Sequence, residues 1–404
     1  MSVALRKPAP LSWLVVAAIV VLALNLRPIL AATGPLLDDI QATTGLSDHL
    51  AGLMTTLPIF VMGLFALTAS ALQRWLGEVR GIAIGGCVIA LACLMRGLWP
   101  SAGTMIATAV VAGVGIAMVQ ALMPSYIKTA QPEQAGRVMG LYSTGIMGGA
   151  IFAASLSPSV ATASGWPLAQ GMWALPAILA VALWIWQARR RRARALPMAS
   201  DSEAVQQAPV AIWRSGRAWR LMLFFGIGTA AYTLALAWLA PYYLQLGWSP
   251  TQSGFLLAAI SIGEVIFGLA ISAWIGRFRD RRPLVWAILA CLAAALTGLL
   301  VAPLLLVVPI TVLLSIGIGA LFPVSLIITL DHAHDARQAG ALLGFVQGGG
   351  YMLASVMPLV AGALRGAGQS LSLAWMLMLV GTGVLVWMAA AFRPGDGLTA
   401  AHAR

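Results

Sequence analysis

Two residues that carry a charge at neutral pH stand inside long apolar stretches of the sequence. Arg27 follows an aliphatic run that starts at Leu11, and Glu264 lies near the middle of a second apolar stretch. If these stretches cross a bilayer, an ionised side chain at the centre costs roughly 2.5 to 3.5 kcal/mol even on the more lenient insertion scale. Each residue therefore needs a partner, water or a function, and the two are the first candidates for chemistry.

Arg27 is followed by Pro28, and a proline inside a helix removes one backbone hydrogen bond and kinks the chain. A guanidinium that stays charged beside such a kink is suited to bind an anion. A structural salt bridge, or an arginine bonded to the carbonyls that the kink releases, would explain the same residues. Asn25 is also a substrate-binding candidate, although its spacing of two residues places it off the face of Arg27, where it could instead brace a neighbouring helix.

Glu264 has three interpretations that the sequence leaves open. It could carry a coupling proton, it could neutralise Arg27, or it could make a polar contact with Ser261 one turn away. The first two make Glu264 a candidate for coupling or for an ion pair.

Five further polar or aromatic residues could orient a small substrate. They are Gln120, Tyr232, Trp238, Gln347 and Tyr351. They fall in the segments that we predict below as the fourth, seventh and eleventh membrane helices. Polar side chains in membrane helices also form hydrogen bonds to neighbouring helices, and this second interpretation stays open for the same residues.

The pattern does not favour an enzyme. Intramembrane hydrolysis needs a nucleophile with a base, a pair of carboxylates or a set of metal ligands. All four histidines fall in predicted loops or the C-terminal tail, and Glu264 is the only acidic residue inside a predicted span. Cys87, Cys93 and Cys291 lie in apolar blocks without CxxC spacing. We therefore expect no metal site, no disulfide framework and no cofactor.

The composition places these candidates in lipid. Of the 404 residues, 60% are hydrophobic and only 9% are charged, whereas a soluble domain carries roughly 25% charged residues. The apolar residues form blocks near the roughly 20 residues that cross a bilayer. We predict an all-α membrane protein with twelve helices, over residues 11–37, 49–72, 80–97, 102–126, 137–160, 167–187, 217–244, 252–275, 283–301, 304–330, 338–363 and 369–391.

The net charge of +12 indicates orientation in the membrane rather than nucleic-acid binding. With the N-terminus placed inside, 21 of the 24 Lys and Arg residues fall in predicted cytoplasmic ends and loops, and only 2, Arg96 and Arg365, fall in outer connections. Basic residues concentrate on the cytoplasmic side of membrane proteins. We therefore expect both termini in the cytoplasm.

The chain divides into two similar halves. Residues 188–216 combine four consecutive arginines with a polar, proline-containing tract, which is typical of a flexible linker. A shift of 200 residues gives seven identities between residues 140–160 and residues 340–360. We predict an N-terminal six-helix half over 1–187, a cytoplasmic linker over 188–216 and a C-terminal six-helix half over 217–404, with the halves related as a parallel repeat.

Glycines recur every four or eight positions on the fifth and eleventh predicted helices. They stand at 136, 140 and 148, and at 340, 344 and 348. Small residues at this spacing let two helices approach closely. We expect these glycines to pack against helices of the opposite half.

Several strings resemble the cyanate permease and nitroimidazole transporter branch of the major facilitator superfamily, and cyanate permease most of all. The strings are Asn25-Leu26-Arg27-Pro28, Gly34-Pro35-Leu36-Leu37, Gln120 to Lys128, Met139 to Ser143, Phe322-Pro323, Leu330-Asp331-His332 and Gln347-Gly348. The resemblance implies the twelve-helix fold of that superfamily, a bacterial inner-membrane location and a very small substrate, with Arg27 and Gln120 in the site. One departure is Arg74, which stands where the loop signature of the superfamily has an Asp, so gating salt bridges are in question.

Together these observations predict an alternating-access transporter of a small anion, with cyanate as the first choice. Arg27 would attract the substrate, and Gln120, Gln347 and Tyr351 would orient it. The alternatives are a transporter of 2-nitroimidazole or a similar small planar solute, and a proton-coupled drug efflux pump. The expected partners are a small-molecule substrate, the lipid bilayer and a coupling proton, with no nucleic acid, and we expect a monomer.

Overall fold

A computed structural model describes residues 13–194, 212–278, 280–333 and 336–392. Within these residues the regular structure is helical throughout, and twelve helices are long and apolar enough to cross a membrane. The prediction of an all-α protein with twelve membrane helices is therefore confirmed. We number these helices span 1 to span 12.

Nine spans are continuous helices. Span 2 is Asp48–Leu76, span 3 is Glu78–Leu98, span 4 is Ala102–Ala130, span 5 is Ala135–Ser164, span 7 is Gly216–Gln245, span 8 is Pro250–Trp274, span 9 is Arg282–Val301, span 10 is Val307–Asp331 and span 12 is Ser372–Ala389.

The other three spans are interrupted. Span 1 consists of Trp13–Ala23, Pro28–Ala31, a short 3-10 turn over Gly34–Leu36 and Leu37–Thr44. Span 6 consists of Trp166–Gly171 and Ala174–Arg194, and span 11 consists of Ala336–Ala354 and Val356–Gly366.

The corner before the second helix of each six-span half is built in the same way. Gly45 and Gly247 adopt positive φ angles of 69° and 90°, which a glycine tolerates without strain. Two residues later, Ser47 and Ser249 accept hydrogen bonds from the first turns of spans 2 and 8 as N-caps. The same two residue types therefore recur in the two corners with the same local structure.

The break in span 1 follows from its sequence. The first helical segment ends at Ala23, and the Asn25 side chain donates a hydrogen bond back to the Val21 carbonyl at 2.7 Å. Pro28 has no N–H to offer to the Leu24 carbonyl, and it starts the next short segment at a position that suits proline. The break leaves Arg27 at the junction between the two segments.

Spans 1–6 and spans 7–12 approach each other most closely through glycines of spans 2 and 8. A Cβ added to Gly254 of span 8 would overlap the Ala154 carbonyl oxygen of span 5. A Cβ added to Gly52 of span 2 would lie 2.8 Å from the Pro358 carbonyl oxygen of span 11. Backbones at these distances exclude any side chain.

Five of the six repeated glycines do not pack against the opposite half as the sequence predicts. One of them, Gly148, meets Leu24 of span 1, in its own half. A Cβ added to Gly136, Gly140 or Gly340 would meet nothing within 4 Å, and at Gly344 its nearest neighbour would lie 3.9 Å away. These residues line a cavity instead, so the prediction of close packing is wrong for them in this conformation. Gly348 does pack tightly, against Leu67 of span 2.

A second correction concerns the charges at depth. The sequence places Arg96 in an outer connection and leaves only Arg27 and Glu264 inside the membrane. In the structure Arg96 belongs to span 3, and its side chain is 1% exposed. The reason is that span 3 continues two residues beyond Arg96, and spans 1, 4 and 6 surround it with hydrogen-bond acceptors.

The predicted residue bounds of the two halves and of the linker between them stay a prediction. Residues 195–211, which make up most of the predicted linker, lie outside the described residues, as do residues 1–12 and 393–404.

The contact between spans 5 and 8 predicts a difference between two glycine variants. We expect Gly254→Ala to lower the free energy of unfolding by about 1–3 kcal/mol, because the added methyl group must separate two packed backbones. Gly136→Ala is the matched control, since its methyl group meets nothing within 4 Å. Thermal unfolding in detergent gives the midpoint temperature of each purified variant. Equal midpoints for Gly254→Ala and Gly136→Ala would contradict a close contact between spans 5 and 8.

Candidate functional site

Consecutive spans cross the molecule in alternate directions, so their ends fall on two faces. We call the face with the turns after spans 2, 4, 8 and 10 the basic face. It carries Arg74, Arg80, Lys128, Arg137, Arg277, Arg281 and Arg282. The opposite face carries the turns after spans 1, 3, 5, 7, 9 and 11.

A cavity of about 880 Å³ lies between spans of the two halves and reaches the basic face. Its mouth is lined by residues near the ends of the spans, among them Pro124, Gly136, Ser272 and Gly340. Glu264 lines the same cavity eight residues before Ser272, about 12 Å deeper at 1.5 Å per helical residue. The cavity therefore extends from the basic face to the middle of the membrane.

Contacts between the halves close the molecule on its opposite face. The Thr56 hydroxyl of span 2 donates a hydrogen bond to the Ser355 carbonyl of span 11 at 2.7 Å. Two turns further out, a Cβ added to Gly362 would lie 2.6 Å from the Asp48 carbonyl oxygen. Spans 2 and 11 thus seal the end of the cavity that faces away from the mouth.

Arg365, at the outer end of span 11, adds an ionic contact to this seal. Its Nη2 lies 3.1 Å from Asp38 Oδ1 of span 1, and its Nε lies 3.3 Å from Asp48 Oδ1 of span 2. Its guanidinium carbon also lies 5.7 Å from the centre of the Trp238 ring. The two carboxylates belong to the first half and the arginine to the second. The loop after span 2 has Arg74 where the superfamily signature has an Asp. The protein nevertheless has ion pairs between its halves, and they lie on the face opposite to that loop.

Arg27 stands at the closed end of the cavity. Its side chain is buried, and its guanidinium carbon lies 5.5 Å from the centre of the Tyr232 ring, within the range of a cation–π interaction. Among the described residues, no carboxylate lies within 4 Å of it, and its Nε has no hydrogen-bond partner. A buried arginine normally has its donors satisfied, whereas Arg27 lines the cavity with its Nε unbonded.

Two tyrosine hydroxyls beside Arg27 are also unpartnered. The hydroxyls of Tyr142 and Tyr232 are buried and make no hydrogen bond to any described residue. Tyr142 lies on span 5 and Tyr232 on span 7, and both line the cavity. With the Arg27 Nε, they bring three unsatisfied polar atoms to one end of the cavity. Hydroxyl and guanidinium donors of this kind bind a group that is rich in acceptor atoms.

Glu264 of span 8 lines the same end of the cavity. Gly319 of span 10 packs on its backbone, where an added Cβ would lie 2.5 Å from the Glu264 Cα. Arg27 acts on Glu264 electrostatically, yet the two side chains form no ion pair within 4 Å. Nor does Glu264 share a hydrogen bond with Ser261 among the described contacts. In this conformation the Glu264 carboxyl group and the Arg27 guanidinium both line the cavity without pairing with each other.

The structure brings six of the eight predicted site residues to one cavity. They are Arg27, Gln120, Tyr232, Glu264, Gln347 and Tyr351. Tyr351 packs edge to face on Phe225, with 5.4 Å between ring centres, which gives this part of the wall an aromatic surface. Because the six residues come from spans 1, 4, 7, 8 and 11, both halves contribute.

The other two predicted site residues do not line the cavity. Asn25 bonds to the carbonyl of Val21 in its own span, so it neither reaches the cavity nor braces another helix. Trp238 is 1% exposed, and its Nε1 donates a hydrogen bond to the Pro358 carbonyl at 2.9 Å. In this conformation both side chains form hydrogen bonds to backbone carbonyls and stabilise the fold. Trp238 belongs to the closed end, beneath Arg365.

Tyr142 is a cavity residue that the sequence does not single out as a site candidate. It precedes Gly145 and Gly149 by three and seven residues, so the three share one helix face. Both glycines pack on span 1. A Cβ added to Gly145 would lie 3.0 Å from the Ala23 Cβ, and one added to Gly149 would overlap the Leu24 carbonyl oxygen. The spacing of Tyr142 from these two glycines could therefore have indicated that it faces span 1 and Arg27.

The chain matches a known family of proteins along most of its length. The model of the Major Facilitator Superfamily matches residues 14–355 and, in a second match, residues 240–401. Cyanate transport protein CynX of Escherichia coli (strain K12) is 34% identical over 358 residues, which cover 88% of this chain and 91% of the relative. The 2-nitroimidazole transporter of the same organism is 30% identical over 379 residues and 93% of each chain.

Two solved structures share the fold at low sequence identity. The inward open conformation of the xylose transporter XylE from E. coli aligns with a TM-score of 0.74 and 13% identity, over 96% of this chain and 98% of that one. A bacterial homolog of the human lysosomal transporter Spinster aligns with a TM-score of 0.73 and 17% identity, over 94% of this chain and 95% of that one. These two structures show the fold, and the matches to the family model and to the two Escherichia coli relatives confirm the resemblance inferred from the sequence strings.

The open mouth and closed end predict different reactivities at two serine positions. Ser143 lines the cavity and is exposed, whereas Ser355 is 1% exposed at the seal. In a background without the three native cysteines, we expect Ser143→Cys to react with a small water-soluble thiosulfonate at least about tenfold faster than Ser355→Cys. Mass spectrometry measures the two rates, and equal rates would contradict a cavity that is closed at this end.

Proposed function

The chain belongs to the major facilitator superfamily, and on that premise we propose that it carries a small anion, with cyanate as the first choice, by alternating access. It is a multi-pass protein of the bacterial inner membrane, as its twelve spans and its bacterial relatives indicate. The observation that carries the proposal is the buried guanidinium of Arg27. Within the part of the chain that the structure describes, it has no carboxylate partner, and it lies beside two tyrosine hydroxyls without hydrogen bonds.

A slim monoanion suits this cluster. One guanidinium supplies charge-assisted hydrogen bonds, and the hydroxyls of Tyr142 and Tyr232 supply two neutral donors in reach of the same end of the cavity. Gln120 and Gln347 line the cavity and would orient the anion further. At about 880 Å³ the cavity is far larger than a three-atom anion, so the donors at its closed end, rather than its volume, would select the substrate.

The relatives support cyanate and also a second candidate. Similarity to cyanate transport protein CynX extends over 91% of that protein, and similarity to the 2-nitroimidazole transporter extends over 93% of that one. A planar nitroimidazole would stack on Tyr232 or Tyr351 and direct its nitro group to Arg27. The aromatic wall of the cavity favours this alternative, while the charge of Arg27 favours an anion.

We place the basic face in the cytoplasm because Lys and Arg concentrate on the cytoplasmic side of membrane proteins. The structure then corresponds to an inward-open state, with the contacts of Thr56, Gly362 and Arg365 closing the outer side. In the outward-open state these contacts would separate. The glycines at the mouth, such as Gly140 and Gly340, would allow the halves to close there, since they carry no side chain to obstruct contact.

Uptake of an anion works against the membrane potential by about 2.3 kcal/mol per charge per 100 mV. Cotransport of one proton removes this cost because the pair carries no net charge. We infer that Glu264 is the proton carrier, since it lines the cavity close enough to Arg27 for electrostatic interaction and has no ion-pair partner within 4 Å among the described residues. One chain supplies both walls of the cavity, so a monomer suffices for the cycle.

The anion site predicts the effect of removing the Arg27 charge. We expect Arg27→Ala to weaken cyanate binding by about 10- to 150-fold, because hydrogen bonds to a charged group contribute about 1.5–3 kcal/mol. Titration calorimetry of the purified protein measures the dissociation constant. Arg80→Ala is the matched control, since it removes the same charge from an exposed site on the basic face. Unchanged affinity in Arg27→Ala, with folding intact, would exclude the anion site.

Proton coupling predicts a change in the pH dependence of transport. Uptake by the wild type into proteoliposomes should rise when the outside is acidified at constant membrane potential, because protonation of Glu264 would accompany anion binding. Glu264→Gln has the shape of the protonated side chain but cannot exchange a proton. We expect its uptake to be independent of the pH gradient. Coincident pH profiles of the two proteins would show that Glu264 is not the carrier.

A further inference from the structure

Arg96 is a buried arginine that the transport mechanism does not use. It lies in span 3 with 1% of its side chain exposed, and no carboxylate lies within ion-pair distance among the described residues. Its Nε donates a hydrogen bond to the Thr108 hydroxyl of span 4 at 3.0 Å. Its Nη1 donates to the Ile29 carbonyl of span 1 at 2.8 Å. It does not line the cavity, so it cannot touch a substrate there.

Two further acceptors complete the cluster around this guanidinium. The Arg96 Nη1 lies 3.2 Å from the Thr33 hydroxyl and 3.2 Å from the Gln170 Oε1 of span 6. The Gln170 amide in turn donates to the Thr33 hydroxyl at 3.4 Å. A close approach of Gly97 to Gly171, where an added Cβ would lie 3.0 Å from the Gly171 Cα, brings span 6 near enough for these bonds.

The Ile29 carbonyl needs a donor because span 1 is irregular at this point. In a regular α-helix the N–H of Thr33 would donate to Ile29, but here it donates to Leu30 at 3.3 Å. The Ile29 oxygen instead accepts from Arg96 and from the Thr33 hydroxyl, at 2.8 and 3.1 Å. A carbonyl left without a donor inside a membrane costs several kcal/mol, so these bonds stabilise the irregular turn.

The same turn determines where Arg27 points. Arg27 is the N-cap of the segment Pro28–Ala31, and its carbonyl accepts hydrogen bonds from Leu30 and Ala31. A helix of four residues has no stability of its own, because nucleation of a helix is unfavourable. Contacts from outside must hold it. Arg96 supplies a charged contact of this kind, at a residue two positions from Arg27.

We propose that Arg96 is a positioning residue for the substrate site. It fixes the Pro28–Ala31 segment through the Ile29 carbonyl, and so directs the Arg27 guanidinium into the cavity without touching the substrate. The effect of Arg96 on cyanate affinity rests on the proposed anion transport. Its effect on the hydrogen exchange of the turn does not depend on that proposal.

The test uses Arg96→Met, which keeps the length of the side chain and removes its donors. We expect the amides of residues 29–33 to exchange hydrogen for deuterium at least tenfold faster, and the dissociation constant for cyanate to rise at least tenfold. Thr108→Val is the control, since it removes the acceptor of the Arg96 Nε and keeps the bonds to span 1. It should change either quantity by less than about twofold.

A double-variant cycle separates positioning from a general loosening of the protein. In an Arg27→Lys background, which keeps a charge but lacks the planar fork, Arg96→Met should change the residual cyanate affinity by less than about twofold. An equal loss of affinity in both backgrounds would overturn the proposal, and so would wild-type exchange at residues 29–33 in Arg96→Met. If Arg96→Met does not fold, hydrogen exchange of residues 29–33 and cyanate affinity are measured on Arg96→Gln instead, with the same expected results.

The two proposals fail in different ways. If the wild type binds neither cyanate nor any other small anion, the proposed function fails. The exchange of residues 29–33 in Arg96→Met, with Thr108→Val as control, then decides on its own whether Arg96 fixes the turn.

Discussion

The interruption of span 1 between Ala23 and Pro28 is the constraint on which the rest of the site depends. A membrane helix must satisfy its backbone groups internally, and Pro28 prevents this for the Leu24 carbonyl. That carbonyl packs on Gly149 of span 5, where a side chain would not fit. The Ile29 carbonyl, on the other side of the break, accepts from Arg96. These contacts make the break tolerable, and the break places a charged side chain at the centre of the molecule.

The two faces of the molecule differ in how the halves meet. On the opposite face, backbones of spans 2 and 11 and of spans 5 and 8 touch through glycines, and Arg365 joins carboxylates of the other half. On the basic face the glycines of spans 5 and 11 line the cavity instead. Glycines therefore allow close backbone contact at one end of the molecule and leave open space at the other. A rocking motion of the halves about Arg27 would exchange the two arrangements.

The sequence predicts the fold well because each apolar block has the length that a bilayer requires, and lipid allows few alternatives to a helix. It also identifies Arg27, since a charge beside a proline is conspicuous in an apolar run. It misses Arg96 because the depth of a residue near a helix end depends on where that helix ends and on which neighbours supply acceptors. It misplaces Trp238 and Asn25 because spacing along one helix does not reveal which side faces the cavity. The glycine pattern indicates contact but cannot indicate in which conformation the contact forms.

Binding of small anions to the purified wild-type protein tests the central claim most directly. Titration calorimetry with cyanate, thiocyanate, bicarbonate, nitrate and 2-nitroimidazole would rank the ligands, and competition would show whether they share one site. The unpaired Arg27 beside two tyrosine hydroxyls predicts that cyanate binds at one site per chain and that other small monoanions displace it. Binding of 2-nitroimidazole or of large amphipathic cations that no anion displaces, with no heat from any anion, would contradict it.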